Sequence, residues 1–132
     1  ITQGLRGLPI TVYGDGTQTR SWTYIDDAVE AIERFFWRDQ SDYAGPVNIG
    51  TDREIAVLEV AKYVQRHFPD SPIEFLPSPP QDPTNRRPDL TLANKVIAGW
   101  AAGLAYEDGV DRTIEWFRGR MAHWASVHPA SV

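Results

Sequence analysis

The sequence predicts a small mixed α/β domain, and three observations lead to this fold class. Amphipathic helical patterns alternate with short runs of β-forming residues along the chain. Of the 132 residues, 42% are hydrophobic and 11% are aromatic, which supports a real core and argues against disorder. No internal repeat or linker divides the chain, so we expect one domain over residues 1–124 and a tail over 125–132.

Two β-rich runs flank a glycine-bracketed turn near the start of the chain. The first run covers residues 8–13, and the second covers residues 19–22. Gly14 and Gly16 stand on either side of Asp15, as a hairpin turn requires. Arg20, just beyond the turn, offers a planar, permanently charged fork that suits phosphate. The alternative interpretation is a plain hairpin with a surface arginine.

A helix is predicted over residues 27–38. Asp27 and Glu30 have the spacing of a capping box at its start. One face of this helix carries the apolar residues Val29, Ile32 and Phe36. A turn over residues 41–46 and a short strand over 47–49, which closes on a glycine, follow the helix.

A second helix and a further strand are predicted in the middle of the chain. Thr51 or Asp52 can cap the helix, and Pro69 ends it. Its apolar residues recur at helical spacing: Val57, Ala61, Val64 and Phe68. Residues 73–76 alternate as an edge strand or a half-buried strand does.

A proline-rich loop over residues 77–88 carries Arg86 and Arg87 side by side. Long loops in compact domains are usually functional or disordered, so this loop is a second candidate site. A short helix near residues 91–98 and a long amphipathic helix from Tyr106 to Trp124 follow it. The five tryptophans are expected to be mostly core residues.

Charge and cysteine content narrow the function classes. The net charge of −5 argues against nucleic acid or an anionic membrane as a partner, so any anionic ligand must be held by local positive charge. No apolar run approaches the length that spans a bilayer. The absence of cysteine excludes disulfides and thiolate metal sites, and it fits a reducing, cytoplasmic location. The first residue is Ile1, which suggests a piece of a longer protein.

Three blocks of the sequence resemble a known family. They are Pro9 to Asp27, Pro46 to Gly50 with Leu58 to Ala61, and Asp82 to Leu90 running on to Gly99-Trp100. Together they resemble the carboxyl-terminal lobe of the extended short-chain dehydrogenases, the NAD-dependent epimerase/dehydratase superfamily that acts on nucleotide sugars. Within it the blocks are most similar to the UDP-glucuronate decarboxylases. The fold that this implies is a small mixed α/β substrate-binding lobe without the Rossmann half.

The resemblance implies a UDP-sugar or dTDP-sugar as ligand. Backbone groups of residues 11–13 could pair with the imide edge of the base, and Arg20 and Arg86 could converge on the two phosphates. Arg87 is the alternative to Arg86 if the loop register differs by one residue. The substrate contacts that the resemblance carries over are Gln3, Thr11, Val12, Tyr13, Arg20, Asn48 and Arg86.

The resemblance also implies the partners of this lobe and its reaction. The family places NAD and a Tyr-x-x-x-Lys pair in an amino-terminal Rossmann lobe, and full-length members commonly form homodimers. This sequence has neither that pair nor the glycine-rich dinucleotide turn, and its histidines lack metal-ligand spacing. We therefore expect no catalytic residue, no metal site and no NAD bound by this chain alone.

Three functions remain open from the sequence. The first is the substrate-binding lobe of a UDP-glucuronate decarboxylase, which forms UDP-xylose. The second keeps the lobe but makes the enzyme a dTDP-glucose 4,6-dehydratase or a UDP-sugar 4-epimerase. The third, from another class, is a stand-alone nucleotide-binding or interaction module without catalysis.

Overall fold

The computed structural model describes residues 1–39 and 43–127, with side chains through Met121. The described residues confirm a small mixed α/β fold of short strands and helices. The strands are β1 (Ile10–Tyr13), β2 (Thr19–Ser21), β3 (Glu54–Ala56), β4 (Ile73–Leu76) and β5 (Asn85–Arg86). The helices are α1 (Thr2–Leu5), α2 (Ile25–Trp37), α3 (Val57–His67), α4 (Thr91–Val96) and α5 (Tyr106–Val127).

The strands form two separate sheets. β1 pairs in parallel with β4, with Ile10 opposite Ile73. β2 is the central strand of the other sheet, antiparallel to β3 and parallel to β5. The predicted hairpin is therefore wrong, because the runs on either side of the glycine turn belong to different sheets. The turn redirects the chain from one sheet to the other.

The glycine turn also begins helix α3. Gly14 and Gly16 both have positive φ angles, of 68° and 76°, which glycine adopts without strain. The Gly16 carbonyl accepts a hydrogen bond from the Leu58 amide, and the Gln18 carbonyl accepts one from the Val57 amide, both at 3.0 Å. These bonds satisfy two of the amides that a helix leaves free at its N-terminus.

Helix α3 therefore starts later than the sequence predicted. Thr51 and Asp52 do not cap it, because the extended residues of β3 come between them and the first helical turn. The helix stops two residues before Pro69. The loop from another part of the chain has replaced the local cap.

The first hydrophobic cluster lies between α3 and the parallel pair of strands. Its buried members are Ile10, Val12, Val60, Ala61 and Val64. The helical spacing predicted for α3 is confirmed, since Ala61 and Val64 are buried and Val57 and Phe68 pack against the same cluster. Burying a side chain of this size contributes about 1.5–3 kcal/mol.

The second cluster packs helix α2 against the chain around α4. Ala31, Ile97 and Trp100 are its buried members. The Trp100 Nε1 donates to the Asp27 carbonyl at 3.0 Å, and the Asp27 carboxylate accepts from the Leu104 amide at 3.1 Å. The predicted capping box is therefore wrong, because the Asp27 side chain binds the chain after α4 instead of the first turn of α2.

The apolar face predicted on α2 is exposed in this structure. Val29 and Ile32 are 51% and 58% exposed, and Ile25 on the same side is 62% exposed. Phe36, the third predicted member, is also largely exposed. The buried side instead consists of Ala31 with the partly buried Phe35.

Two further expectations are corrected by the structure. Residues 47–49 form no strand, although Val47 and Ile49 pack on the second cluster. Among the tryptophans with described side chains, only Trp100 is buried. Trp22, Trp37 and Trp116 are exposed at their ring surfaces, so the expectation of core tryptophans is wrong for them.

The remaining elements follow the prediction closely. The strand at 73–76 is confirmed, and the predicted helix at 91–98 ends at Val96. The long last helix is confirmed from Tyr106, and it continues to Val127, past the predicted end of the domain at 124. The rest of the predicted tail, 128–132, and the first residues of the predicted turn at 41–46 lie outside the described residues. Within the described chain, no helix is long and apolar enough to cross a membrane.

Gly16 and Gly7 provide a test of the turn that begins α3. Both have positive φ, but a Cβ at Gly16 would lie 2.7 Å from the Leu58 Cβ, whereas a Cβ at Gly7 would meet nothing within 4 Å. Gly7→Ala should therefore cost only the backbone strain, about 1 kcal/mol. Gly16→Ala should cost about 3 kcal/mol, because overlap adds to strain. Urea unfolding of both variants checks this, and equal midpoints would contradict the described packing.

Candidate functional site

Two arginines that are far apart in sequence lie side by side on one sheet. In the parallel pairing of β2 with β5, Arg20 is the register partner of Arg86. Neighbouring strands are about 4.8 Å apart, and register partners point to the same face of a sheet. The pairing of the strands therefore places the backbones of Arg20 and Arg86 next to each other, and the convergence of their guanidinium groups on two phosphates stays a prediction.

The Arg20 guanidinium is held by three contacts with its own chain. Its Nη1 donates to the Thr19 carbonyl at 2.7 Å and to the Pro83 carbonyl at 3.0 Å. Its Nη2 forms an ion pair with the Asp82 carboxylate at 2.7 Å. A guanidinium has five N–H donors, so these contacts leave two for a ligand.

Arg86 and Arg87 differ in their surroundings. Arg87 forms a long ion pair with Asp52, at 3.5 Å. Arg86 is exposed, and its side chain has no hydrogen bond or ion pair with any other described residue. We call Arg20, Arg86 and Arg87 the arginine row. In the part of the chain that the structure describes, Arg86 is the member of this row whose charge no carboxylate compensates. Its register position and its free charge both favour Arg86 over Arg87 as the ligand-binding arginine.

The second predicted group of contacts lies along one edge of β1. The Ile10 and Gly14 amides donate to β4 or the residue before it, so the amides of Thr11 and Tyr13 face the other way. The Gln3 side chain holds this edge, accepting from the Thr11 amide at 3.2 Å and donating to the Thr11 hydroxyl at 3.1 Å. The Tyr13 carbonyl accepts from Gln18 at 2.7 Å. The Thr11 carbonyl and the Tyr13 amide remain at the edge.

Val12 and Asn48, two further predicted contacts, lie where their side chains bind other parts of the chain. The Val12 side chain is 1% exposed in the first cluster, and its backbone faces β4, so Val12 lies beneath the edge instead of on it. Asn48 is exposed, and its Nδ2 donates to the Asp89 carbonyl at 3.1 Å. That bond ties the extended segment after α2 to the end of the proline-rich loop.

Sequence reasoning missed Gln18 and Asp82. Gln18 connects the edge of β1 to the start of β2, and Asp82 is the counter-ion of Arg20. A lone glutamine in a turn gives no local signal. Asp82 had a weak one, since an acidic residue stood four positions before the predicted phosphate-binding Arg86.

A cavity of about 400 Å³ opens beside the arginine row. Ile55, the register partner of Arg20 on β3, is one of its lining residues. The others are Trp22, Arg53, Glu54, Tyr106 and Glu107. None of the predicted contact residues lines this cavity.

Metal-ligating clusters and activated side chains are the other features that could mark a site. No group of three or more His, Asp or Glu side chains among them could hold a metal ion. Tyr63 donates to the Asp111 carboxylate at 2.9 Å, and His67 lies 3.0 Å from the same group. Desolvation, then this bond and the nearby carboxylates, raise the pKa of Tyr63, the opposite of what a tyrosine base needs.

Among the described residues, the glycines do not form a dinucleotide-binding turn. Such a site needs a glycine-rich turn between a strand and a helix, with phosphate at the helix N-terminus. Gly4 lies inside α1 and Gly7 just after it, ahead of β1, and the turn at Gly14 and Gly16 leads into a strand. No step involving NAD is therefore assigned to these residues.

Comparisons with known proteins identify the family of this chain. Residues 1–50 match the family model for the NAD dependent epimerase/dehydratase family. The chain is 39% identical over 122 residues, 92% of its length, to UDP-glucuronic acid decarboxylase 4 of Arabidopsis thaliana, and spans 27% of that protein. Its fold is similar to UDP-glucose 4-epimerase of Thermotoga maritima, solved with UDP-glucose: the TM-score is 0.78, with 27% identity over 90% of this chain and 38% of that one.

A second solved structure is also similar. It is UDP-glucuronic acid 4-epimerase of Bacillus cereus in complex with UDP-glucuronic acid and NAD, with a TM-score of 0.73 and 26% identity over 83% of this chain and 35% of that one. The chain belongs to the NAD-dependent epimerase/dehydratase family of nucleotide-sugar enzymes, the extended short-chain dehydrogenases. Within that family its sequence is similar to the UDP-glucuronic acid decarboxylases. It spans about a quarter of the length of those relatives.

Asp89, at the end of the proline-rich loop, gives a test of the local hydrogen bonds. Bonds from the Thr91 hydroxyl and amide hold the pKa of Asp89 below its ordinary value of 3.8. The stabilisation is therefore present above pH 3.8 and is lost as the pH falls through the lower folded value. Thr91→Val removes the hydroxyl bond, so the pKa of Asp89 should rise part of the way back. Carbon-detected NMR titration measures it.

Asp15 is the internal control for that titration. Its pKa is lowered by the amide and hydroxyl of Thr17, in the glycine turn, and not by Thr91. Thr91→Val should leave the pKa of Asp15 unchanged. A shift of both carboxyls, or of neither, would contradict the assignment of these bonds.

Proposed function

We propose that this chain is the carboxyl-terminal, nucleotide-sugar-binding lobe of a UDP-glucuronate decarboxylase. The observation that carries the proposal is the register pairing of Arg20 with Arg86. A diphosphate needs cations on both sides, and two guanidinium groups on one sheet face supply them. The similarity to UDP-glucuronic acid decarboxylases over 92% of the chain supports this choice of enzyme.

The charges around the row fit an anionic ligand. Asp82 compensates Arg20 and Asp52 compensates Arg87, but no described carboxylate pairs with Arg86. Two like charges on adjacent strands repel each other, and a bound phosphate relieves that repulsion. A chain with a net charge of −5 thus keeps one local site that favours an anion.

The edge of β1 supports a base next to those phosphates. A parallel strand would use its amide on the Thr11 carbonyl and its carbonyl on the Tyr13 amide. The imide edge of uracil or thymine presents the same donor beside an acceptor, so it can occupy this edge as a strand would. Gln18 joins the edge to β2, which links the base end of the ligand to the phosphate end.

The proposal includes a Rossmann lobe as the partner of this one. Ile25, Val29 and Ile32 form an exposed apolar stripe on α2. A second lobe packed against α2 would cover this stripe. We assign NAD and the catalytic residues to that lobe, and we place the complete enzyme in the cytoplasm as a homodimer.

The role of this lobe in catalysis is positioning. Holding the diphosphate fixes the sugar against the reactive groups of the other lobe, which lowers the entropic part of the barrier. The purified 132-residue chain should therefore bind UDP weakly and should not turn over UDP-glucuronate. Turnover by this chain alone would contradict the proposal.

A UDP-sugar 4-epimerase is the second candidate. The fold similarity to UDP-glucose 4-epimerase and UDP-glucuronic acid 4-epimerase favours it. A substrate screen of the full-length protein separates the two. Release of CO2 from UDP-glucuronate supports the decarboxylase, whereas inversion at C4 without loss of CO2 supports the epimerase.

Replacing either clustered arginine tests the phosphate contacts. Arg20→Ala and Arg86→Ala in the full-length enzyme should each raise KM for UDP-glucuronate by about tenfold or more, because a charge-assisted hydrogen bond is worth about 1.5–3 kcal/mol. Steady-state kinetics measures the change. Arg118→Ala, an exposed arginine on α5, is the control and should leave KM unchanged. Wild-type KM in both test variants would refute the phosphate clamp.

Replacing one residue of the apolar stripe tests the lobe interface. Ile32→Glu should change the unfolding free energy of the isolated chain by less than about 0.5 kcal/mol, because Ile32 is already exposed. In the full-length enzyme the same change buries a charge, so the midpoint of thermal unfolding should fall by several degrees. Glu33→Gln, an exposed neighbour on α2, is the control. An unchanged full-length midpoint would exclude α2 from the interface.

A further inference from the structure

We infer that Asp82 is a positioning residue that orients Arg20 for the phosphates of the ligand. The inference deepens the proposed function and rests on it. It concerns the Arg20–Asp82 ion pair, which joins β2 to the proline-rich loop across 62 positions of sequence. Because no local turn brings the two residues together, the ion pair depends on the tertiary fold.

The geometry gives Arg20 one orientation. Nη2 binds Asp82 at 2.7 Å, while Nη1 is held between the carbonyls of Thr19 and Pro83. The two side chains of the pair are 21% and 25% exposed, so solvent screens them less than it screens a fully exposed pair. A planar guanidinium fixed on two of its nitrogens cannot rotate freely. Its two remaining donors are therefore presented in a set direction.

Asp82 also brings Arg86 into place. The residues after Asp82 run along β2: the Thr19 amide donates to the Thr84 carbonyl at 2.9 Å, and Asn85 and Arg86 then pair with Thr19 and Arg20. A two-residue strand has little stability of its own. The ion pair anchors the chain just before it, so the same carboxylate that orients one arginine also helps to hold the other beside it.

Asp82 could instead compete with the phosphate for Arg20, and the structure favours positioning over competition. The Pro83 carbonyl accepts a hydrogen bond from the same guanidinium as Asp82. Displacing Asp82 would therefore also break this bond and loosen β5, the strand that carries Arg86. A carboxylate, an arginine and a phosphate can bind in series, because the guanidinium fork accepts one anion on each of two sides. The two alternatives predict opposite effects of removing the carboxylate charge.

The experiment compares UDP with uridine, which has the base but no phosphates, by titration calorimetry on the full-length polypeptide. Asp82→Asn should weaken UDP binding about five- to tenfold and leave uridine binding within about twofold. Asp82→Glu keeps the charge and should recover part of the loss. In an Arg20→Ala background, Asp82→Asn should have no further effect, because Asp82 acts through Arg20. Glu115→Gln is the control, because it removes the charge of one partner in an ion pair of the same 2.7 Å length on α5. It should change the affinity for neither UDP nor uridine.

Three results would overturn the inference. Unchanged UDP binding in Asp82→Asn would show that the carboxylate is dispensable. Equal weakening of UDP and uridine would show a structural role only, and tighter UDP binding would show competition. The proposed function fails in a different way, when the wild-type protein binds uridine as tightly as UDP.

Discussion

The pairing of β2 with β5 is the interaction on which the candidate site depends. It is short, since only Thr19 with Asn85 and Arg20 with Arg86 are in register. Without it, the two arginines would stand on separate loops 66 positions apart in sequence, and each would be a solvated surface charge. The neighbouring bonds from the Thr19 amide and the Arg20 guanidinium lengthen this contact at one end. A site made from such a short pairing needs these anchors, because two ladder residues cannot hold a loop alone.

The elements that the sequence predicts correctly are those whose signal lies within a single segment of the chain. Helices α3 and α5 and strand β4 were predictable, because the spacing of their apolar residues lies within each segment. This signal does not depend on which other element packs against the segment. The positions of Arg20 and Arg86 in the site came from family motifs, and not from periodicity. β5 gave no local signal, since two residues in a proline-rich loop become a strand only when β2 lies beside them. The start of α3 was missed for the same reason, as its amides are satisfied by Gly16 and Gln18.

Helix α2 shows the limit of amphipathic reasoning. It has two apolar sides: one holds Ala31 and the partly buried Phe35, which pack on the second cluster, and the other includes Ile25 and Ile32. The periodicity identifies the side with Ile25 and Ile32. The fold buries the other side, where the small side chain of Ala31 lets the helix backbone approach the second cluster closely. Local hydrophobicity therefore shows which sides of a helix are apolar, and tertiary contacts decide which of them is buried in this chain.

The charges that surround the candidate site act at two ranges: the net charge of the whole chain and the individual ion pairs. The acidic excess of the whole chain acts at long range and is screened within about 8–10 Å at physiological salt. Direct contacts within a site are much shorter than this, so the nearest ion pairs decide which anion is accepted. Of the cations in the row, Arg20 and Arg87 have carboxylate partners, at 2.7 and 3.5 Å. In the proposed site, a ligand with two phosphates would match what these ion pairs leave available: the full charge of Arg86 and the two remaining N–H donors of Arg20, whose direction is set because the other three are held. The compensated arginine would then contribute direction and the uncompensated one charge, and a diphosphate needs both.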